Sequence, residues 1–404
     1  MLKRFLTMTL VLILVPPQGI AWGQKVRISA WYWLNSAPKV AWEGDFVTMK
    51  KMGFTDVVLC WGIDLAAVGF RTQDTKTAIE EAYRAGLKSY LVVWQPTANS
   101  LPRLPGFEQV DSAGNVLFSF DVFNPEWRQT SWKKYLQTVA AAYRGEPGMA
   151  GYVFDDSFTL GPVATERGPA GSGMVAYGKY EQDHFAGDLP RKVTDPRWNE
   201  WVSARQNWWE DWAKDTVGFI RQVDKNPGHQ IYLEDPADDV LHPDRTKTIG
   251  LDLNRVAKHF DAFGAYSDFA YRGSPEDNAK VVKGTQDILA KVTQEVGKEK
   301  NTIYTFWVAN PAEELAPGLA KFPTVKQIRL IADAALQAGI RHLDMYGYRI
   351  GDYRVEAGTL EKFSPGTGTT YPLTEQFPQK FLWDRPEIQE ELGNYLRGLN
   401  TSPK

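Results

Sequence analysis

Cysteine and histidine are scarce in this chain. Cys60 is the only cysteine among 404 residues. One thiol cannot close an internal disulfide, so no covalent framework organises the fold. At this length a hydrophobic core suffices without one. Cys60 lies within Val57-Val-Leu-Cys-Trp61 and reads as a buried apolar residue rather than a nucleophile. The five histidines, His184, His229, His242, His259 and His342, show neither His-x-His nor His-Glu-x-x-His spacing. That speaks against a zinc hydrolase, and no metal site is expected. Asp235-Pro-Ala-Asp-Asp239 gathers acids without EF-hand spacing and reads as a solvated turn. There is no Gly-x-Ser-x-Gly elbow. No glycine-rich dinucleotide fingerprint follows the first strand, where Trp31-Tyr-Trp-Leu-Asn35 stands, so no cofactor is expected. Excess charge is missing as well. The net charge is −3 with no basic stripe, which argues against nucleic acid as a main partner.

Long apolar runs are missing too. The longest, Phe5–Val15, follows Lys3-Arg4, ends at Pro16-Pro17 and precedes Ala21-Trp22-Gly23. It is too short to anchor a mature protein across a bilayer. A basic start, an apolar middle and small residues at the −3 and −1 positions describe a signal peptide over residues 1–23, cleaved before Gln24. A periplasmic or secreted protein is expected, with no membrane contact after cleavage. Cleavage removes Lys3 and Arg4 but no acid, taking the net charge from −3 to −5.

Aromatic residues, by contrast, are plentiful, with 15 tryptophans. In an extracytoplasmic protein that composition suits carbohydrate handling, because flat rings pack on the apolar faces of sugars. Trp198, Trp201, Trp208, Trp209 and Trp212 fall in one helical stretch and read as packing. Eight short apolar runs read as strands: Val26–Trp33, Phe54–Trp61, Leu87–Gln95, Met149–Asp156, His229–Asp235, Phe260–Asp268, Thr302–Ala309 and Ile340–Tyr348. Helical patterns alternate with them, near 40–52, 75–85, 125–144, 195–225, 251–258, 275–298, 324–338 and 386–399. Eight βα units predict a (β/α)8 TIM barrel of the α/β class, with residues 24–404 as a single domain. An open doubly wound sheet is the alternative. Gly53, Gly86, Gly148, Gly228 and Gly339 close helices just before strands, so the αβ turns are tight. The βα connections are long, about 96–124, 157–194, 236–250 and 349–385. Long loops at the strand C-termini place the site on that face.

Alternation along the strands then nominates the inward residues. On strand 4, Tyr152 and Phe154 suit the helix layer, which turns Gly151, Val153 and Asp155 to the axis. Strand 5 turns Gln230, Tyr232 and Glu234 inward, and strand 6 Gly264, Tyr266 and Asp268. Strand 8 puts His342, Asp344, Tyr346 and Tyr348 on one face. Asp155 and Glu234 thus end adjacent strands, with Asp268 one strand further on. Asp156 rivals Asp155, since one residue of register exchanges their faces. Two carboxylates are what glycoside hydrolysis needs, one to protonate the leaving oxygen and one as nucleophile or base. Acids at strand ends also serve as helix caps. Trp31, Trp33, Trp61, Trp94, Tyr232, Tyr266, Trp307, Tyr346 and Tyr348 are candidate sugar platforms, and Gln95 and Asn310 candidate hydroxyl binders.

Phe123-Asn-Pro-Glu-Trp127, a helix ending near Tyr143, and Gly148-Met-Ala-Gly-Tyr-Val-Phe-Asp-Asp156 resemble TIM-barrel glycoside hydrolases. So does Trp42…Phe46…Met49-Lys-Lys-Met-Gly-Phe-Thr-Asp56. The resemblance is to barrels with an Asp on strand 4 and a Glu on strand 5. It implies that Asp155 is the nucleophile and Glu234, raised in pKa by burial, the acid/base. Asp268 would orient the sugar or tune the pair. Val153 stands where amylases of this type carry arginine, and Val308-Ala-Asn-Pro311 lacks their His-Asp pair, so amylase specificity is not implied. The expectation is a hydrolase of O-glycosidic bonds with a carbohydrate substrate. Residues 157–194, with Gly-Pro-Ala-Gly-Ser-Gly at 168–173, are a candidate lid. A non-catalytic carbohydrate-binding barrel is the alternative, and a metal-dependent or lyase barrel a third reading. Oligomeric state is not legible.

Overall fold

The eight apolar runs become eight parallel strands because each is bounded by turn residues and buried on both faces. The computed structural model describes residues 25–61, 67–93, 106–155, 177–192, 194–236, 250–267, 278–308, 323–349, 353–356, 359–363, 370–372 and 382–401. The strands are β1 (Arg27–Trp33), β2 (Asp56–Cys60), β3 (Lys88–Val92), β4 (Met149–Asp155), β5 (Gln230–Pro236), β6 (Ala262–Ser267), β7 (Asn301–Trp307) and β8 (His342–Arg349). Each pairs with its sequence neighbours, and β1 also pairs with β8. The sheet therefore closes into a (β/α)8 TIM barrel, and the open-sheet alternative is set aside.

The helices between them are α1 (Lys39–Met52), α2 (Thr72–Arg84), α3 (Lys133–Tyr143), α4 (Trp198–Val223), α5 (Leu253–Ala257), α6 (Asn278–Val296) and α7 (Val325–Gln337), and α8 (Pro386–Thr401) follows β8. Local chemistry sets their ends. The Asn124 carboxamide oxygen accepts from Glu126 N at 2.9 Å and Trp127 N at 3.4 Å, with Pro125 in the first turn, so Asn-Pro-Glu opens the segment leading to α3. Thr324 and Gln327 form a capping box on α7. Gly53 closes α1 at φ 108°, and Gly86, Gly148 and Gly339 are likewise left-handed. Gly228 is not among them. There the turn before β5 is held by Asn226, whose side-chain oxygen accepts from Gly228 N at 2.9 Å.

Two apolar layers result. Outside the sheet, Tyr152 and Phe154 meet the helices as their parity predicts. Phe154 meets Trp132 and Phe260 edge-on, and the Tyr152 hydroxyl donates to Asp224 Oδ2 at 2.8 Å. The α4 tryptophans are buried here against Phe123, Tyr177 and Phe185. Inside the barrel, Trp31, Val58, Cys60, Val92, Val153, Tyr232 and Ile303 fill the axis. Cys60 is a buried core residue, as expected.

The long βα connections carry structure of their own. Residues 108–110 and 116–120 form a hairpin after β3, and 353–356, 359–363 and 370–372 a three-stranded sheet after β8. Past β4, Tyr177 N donates to Val110 O at 3.0 Å, and Arg191 reaches Ser112 O at 2.7 Å, so the later part of that connection is fastened to the hairpin. Of the candidate lid over 157–194, residues 157–176 and 193 lie outside the described residues, as does the signal peptide at 1–23. Among the described residues no helix is long and apolar enough to cross a membrane.

Candidate active site

The C-terminal ends of β4 and β5 bring two carboxyl groups together. Asp155 and Glu234 are register partners on these adjacent parallel strands. Val153 and Tyr232, two residues earlier, lie in the inner cluster, so alternation turns both acids to the axis as well. They are 5% and 1% exposed. Parallel strands lie about 4.8 Å apart, which sets the scale of the separation between partners. Gly264 makes room for the pair: a Cβ built there would meet Glu234 Oε2 at 3.3 Å and Ile303 Cγ2 at 3.3 Å. Gly151 enables the same geometry lower on β4. It sits at φ 150° beside a register shift, and a Cβ would fall 1.9 Å from Gln230 O. The side-chain parity that lets Asp155 face inward depends on this glycine.

Around the pair the axis is aromatic and polar. Trp31 and Tyr346 meet edge-on at 5.2 Å, and Trp33 and Tyr232 belong to the same inner cluster. Tyr346 is the partly exposed member, and Trp31 is fully buried beneath it. The Tyr232 ring stands edge-on to Tyr90 at 5.2 Å and to His342 at 6.2 Å. Its phenol is held well above its ordinary ionisation range by burial first, then by the negative fields of Asp344 and Glu234. The Tyr90 hydroxyl donates to Gln230 Oε1 at 2.9 Å and receives Arg27 Nη1 at 2.5 Å.

Two of the expected platforms face the other way. Trp61 follows Cys60, which points inward, so its ring enters the helix layer. It meets Trp42 at 6.2 Å, donates from Nε1 to Thr75 Oγ1 at 2.9 Å, and lies under the Arg71 guanidinium. Tyr348 stacks on Tyr32 at 6.2 Å, in the outer cluster near Asp45 and Arg349. Inward alternation on β8 runs through His342, Asp344 and Tyr346 and stops there, after the register irregularity against β1 at Ala30/Tyr32. Neither Trp61 nor Tyr348 belongs to the site. Asp156, Asp268, Trp94, Gln95 and Asn310 lie outside the described residues, as do the side chains of Tyr266 and Trp307.

One acid was not nominated. Asp344 is wholly buried on the axis, where it accepts from Ser29 Oγ at 2.7 Å and Trp31 Nε1 at 2.9 Å. Burial pushes its carboxyl up to about 7 against those two donors. The parity of strand 8 already put it on one face with His342 and Tyr346, but its partners on β1 belong to the opposite end of the chain. Among the described residues, no group of three or more His, Cys, Asp or Glu is clustered as metal ligands are.

No protein-family model matches the chain, and no curated protein matches it in sequence. Solved structures do match in fold. The chain is similar to the beta-galactosidase of the psychrophile Marinomonas ef1 at 14% identity and TM-score 0.63, over 92% of this chain and 59% of that one. It therefore spans less than two thirds of that enzyme's length. It is similar to the PgaB (BpsB) glycoside hydrolase domain of Bordetella bronchiseptica at 13% identity and TM-score 0.52, over 80% and 94% of the two chains. It is also similar to GH5_18 of Streptomyces cattleya, solved with GlcNAc, at 13% identity and TM-score 0.57, over 94% and 82%. The architecture is thus the TIM barrel that these glycoside hydrolases carry.

Proposed function

We propose that this chain is a glycoside hydrolase that cleaves O-glycosidic bonds of an oligo- or polysaccharide, working outside the cytoplasm. The observation that carries the reading is the buried, in-register pair Asp155–Glu234 at the C-terminal ends of β4 and β5. Partners on adjacent strands suit the carboxyl separation of roughly 5–5.5 Å that retaining glycosidases use, better than the roughly 6.5–9.5 Å of inverting ones. Burial favours the protonated form of Glu234. In the first step its proton passes to the glycosidic oxygen, and that bond breaks as the Asp155 carboxylate bonds to the anomeric carbon. In the second, water gives a proton to Glu234 and its oxygen to the anomeric carbon, and the Asp155 ester bond breaks. Tyr346 and Trp33 would contact the sugar, with Tyr232 as the floor below. The basic and apolar start of the sequence supports export.

The test is reducing-sugar release on a polysaccharide panel, with Glu234→Gln and Asp155→Asn assayed beside the wild type. Release that falls at least about 100-fold in each variant supports the assignment. Release unchanged in both refutes the pair. Retention of a panel glycan without hydrolysis would favour a carbohydrate-binding barrel.

A further inference from the structure

A second pair of acids is buried where two of the long βα connections meet. Asp121 directly follows the hairpin after β3, and Glu181 lies on a short helix, Lys179–His184, in the connection after β4. They are 4% and 0% exposed. Their side chains converge on Gly178. A Cβ built there would meet Glu181 Oε2 at 3.1 Å and Asp121 Oδ2 at 3.8 Å, with the Glu108 carbonyl of the hairpin at 3.7 Å. The two carboxyl groups are hydrogen-bonded to each other. A carboxylate only accepts, so that bond needs a proton on one of the two. Backbone contacts fix both sides. Asp121 N donates to Phe107 O at 2.8 Å, Asp121 Oδ1 accepts from Phe123 N at 3.0 Å, and Tyr177 N donates to Val110 O at 3.0 Å. Positive charge near the pair is limited. Arg205 favours charge on Glu181, as do the backbone N–H groups of Gly178 and Glu181, and Arg128 favours charge on Asp121. Arg128 is itself ion-paired with Asp215 at 2.8 Å. The half-buried Tyr180 phenol, which also feels Asp211, is pushed up by burial. At the surface Lys179 pairs with Asp183 at 2.5 Å, His184 Nδ1 lies 2.8 Å from Tyr180 O, and Glu108 accepts from Gly106 N at 2.8 Å.

We propose that Asp121 and Glu181 share one proton as a pH-operated clasp, which ties the hairpin after β3 to the connection after β4 and releases it when that proton is lost. With the proton shared, the pair carries one negative charge, which Arg205 offsets. Without it, two negative charges stand in contact in a water-poor interface, and each loses the bond that the proton made. Opening brings water to both, as a local event that leaves the barrel intact. Burial holds both acids above the usual carboxylate range. The closed form therefore keeps a proton that the open form, with its carboxyl groups in water, gives up. Closure is complete on the acid side and is lost as pH rises through the ionisation of the pair. A second proton at low pH does not open it, because two neutral carboxyl groups still bond. Both connections leave the C-terminal ends of their strands, β4 ending in Asp155, so the clasp fixes one wall of that face. It does not depend on what the barrel cleaves.

The experiment is hydrogen exchange of the full chain read by mass spectrometry, on peptides over 107–123 and 177–192, at about pH 5 and about pH 9. Glu181→Gln is compared with wild type at each pH. The glutamine amide donates to the Asp121 carboxylate, so the bond survives and no proton is shared. At the lower pH the two proteins are expected to exchange alike. At the higher pH these wild-type peptides are expected to exchange at least about tenfold faster than those of the variant, the factor that one pH unit past the ionisation supplies. Peptides from the barrel strands should exchange alike in both. Intrinsic exchange is common to the two proteins, so a wild-type to variant ratio that is the same at both pH values would overturn the proposal. Should Glu181→Gln fail to fold, Asp121→Asn replaces it. Its oxygen still accepts from Phe123 N and its amide donates to Glu181, and the same ratio is expected to change with pH. The readout needs no substrate, so its outcome and that of the hydrolysis assay are independent.

Discussion

Replacing Asp344 with asparagine should make the fold acid-labile. His342 and Asp344 are both fully inside the barrel, so neither effect is discounted for solvent. His342 is held at about 3 against an ordinary 6.5, by burial first and then by Arg27. Between these values the unfolded chain binds a proton that the folded chain refuses, so stability falls as pH drops. Asp344 sits at about 7 against 3.8, chiefly through burial. Between those values the folded chain holds a proton that the unfolded chain has lost, so stability rises as pH drops. Each contributes about 1.4 kcal/mol per pH unit, with opposite sign. From about pH 6.5 to about pH 4.5 the two nearly cancel in the wild type. The variant keeps only the His342 loss, roughly 2.3 kcal/mol over that interval, since at the upper limit the unfolded imidazole is already half protonated. Urea unfolding of both proteins at the two pH values gives the quantity directly, and titrations common to both drop out of the difference. A variant-minus-wild-type difference that stays constant with pH would refute the reasoning.

Three further outcomes follow from the packing. Gly151→Ala forces a Cβ onto the Gln230 carbonyl at a φ side chains rarely adopt, so it should cost more than about 3 kcal/mol, read as a large drop in thermal midpoint. Gly264→Ala presses on the Glu234 carboxyl at 3.3 Å. Its expected signature is a fall in kcat of about tenfold or more with a stability loss near 1 kcal/mol, and equal kcat in variant and wild type would contradict it. Tyr152→Phe leaves Asp224 without one of its donors, although His229 Nδ1 still lies 2.7 Å away. A loss of about 1–2 kcal/mol in chemical unfolding is expected, with hydrolysis unaffected.

The sequence by itself determined the alternation of eight strands with eight helices, most helix-closing turns, and the inward parity of Val153, Asp155, Tyr232 and Glu234. Those are local matters. A period of two, a left-handed glycine before a strand or an Asn-Pro-Glu cap acts within a few residues of itself. Tertiary structure decided whatever depends on two strands meeting. That Asp155 stands in register with Glu234 is a fact about β4 against β5, and the irregularity beside Gly151 falls on the other side of β4, against β3. Trp61 and Tyr348 end strands yet face the helices, because nearness to a rim does not fix a face. Asp344 was visible as an acid sharing one face of strand 8 with His342 and Tyr346. Its partners Ser29 and Trp31 lie more than 300 residues away and reach it only because β8 closes the barrel against β1. Closure is a global condition, met only when all eight strands are in place, and the charge in the middle of the barrel depends on it.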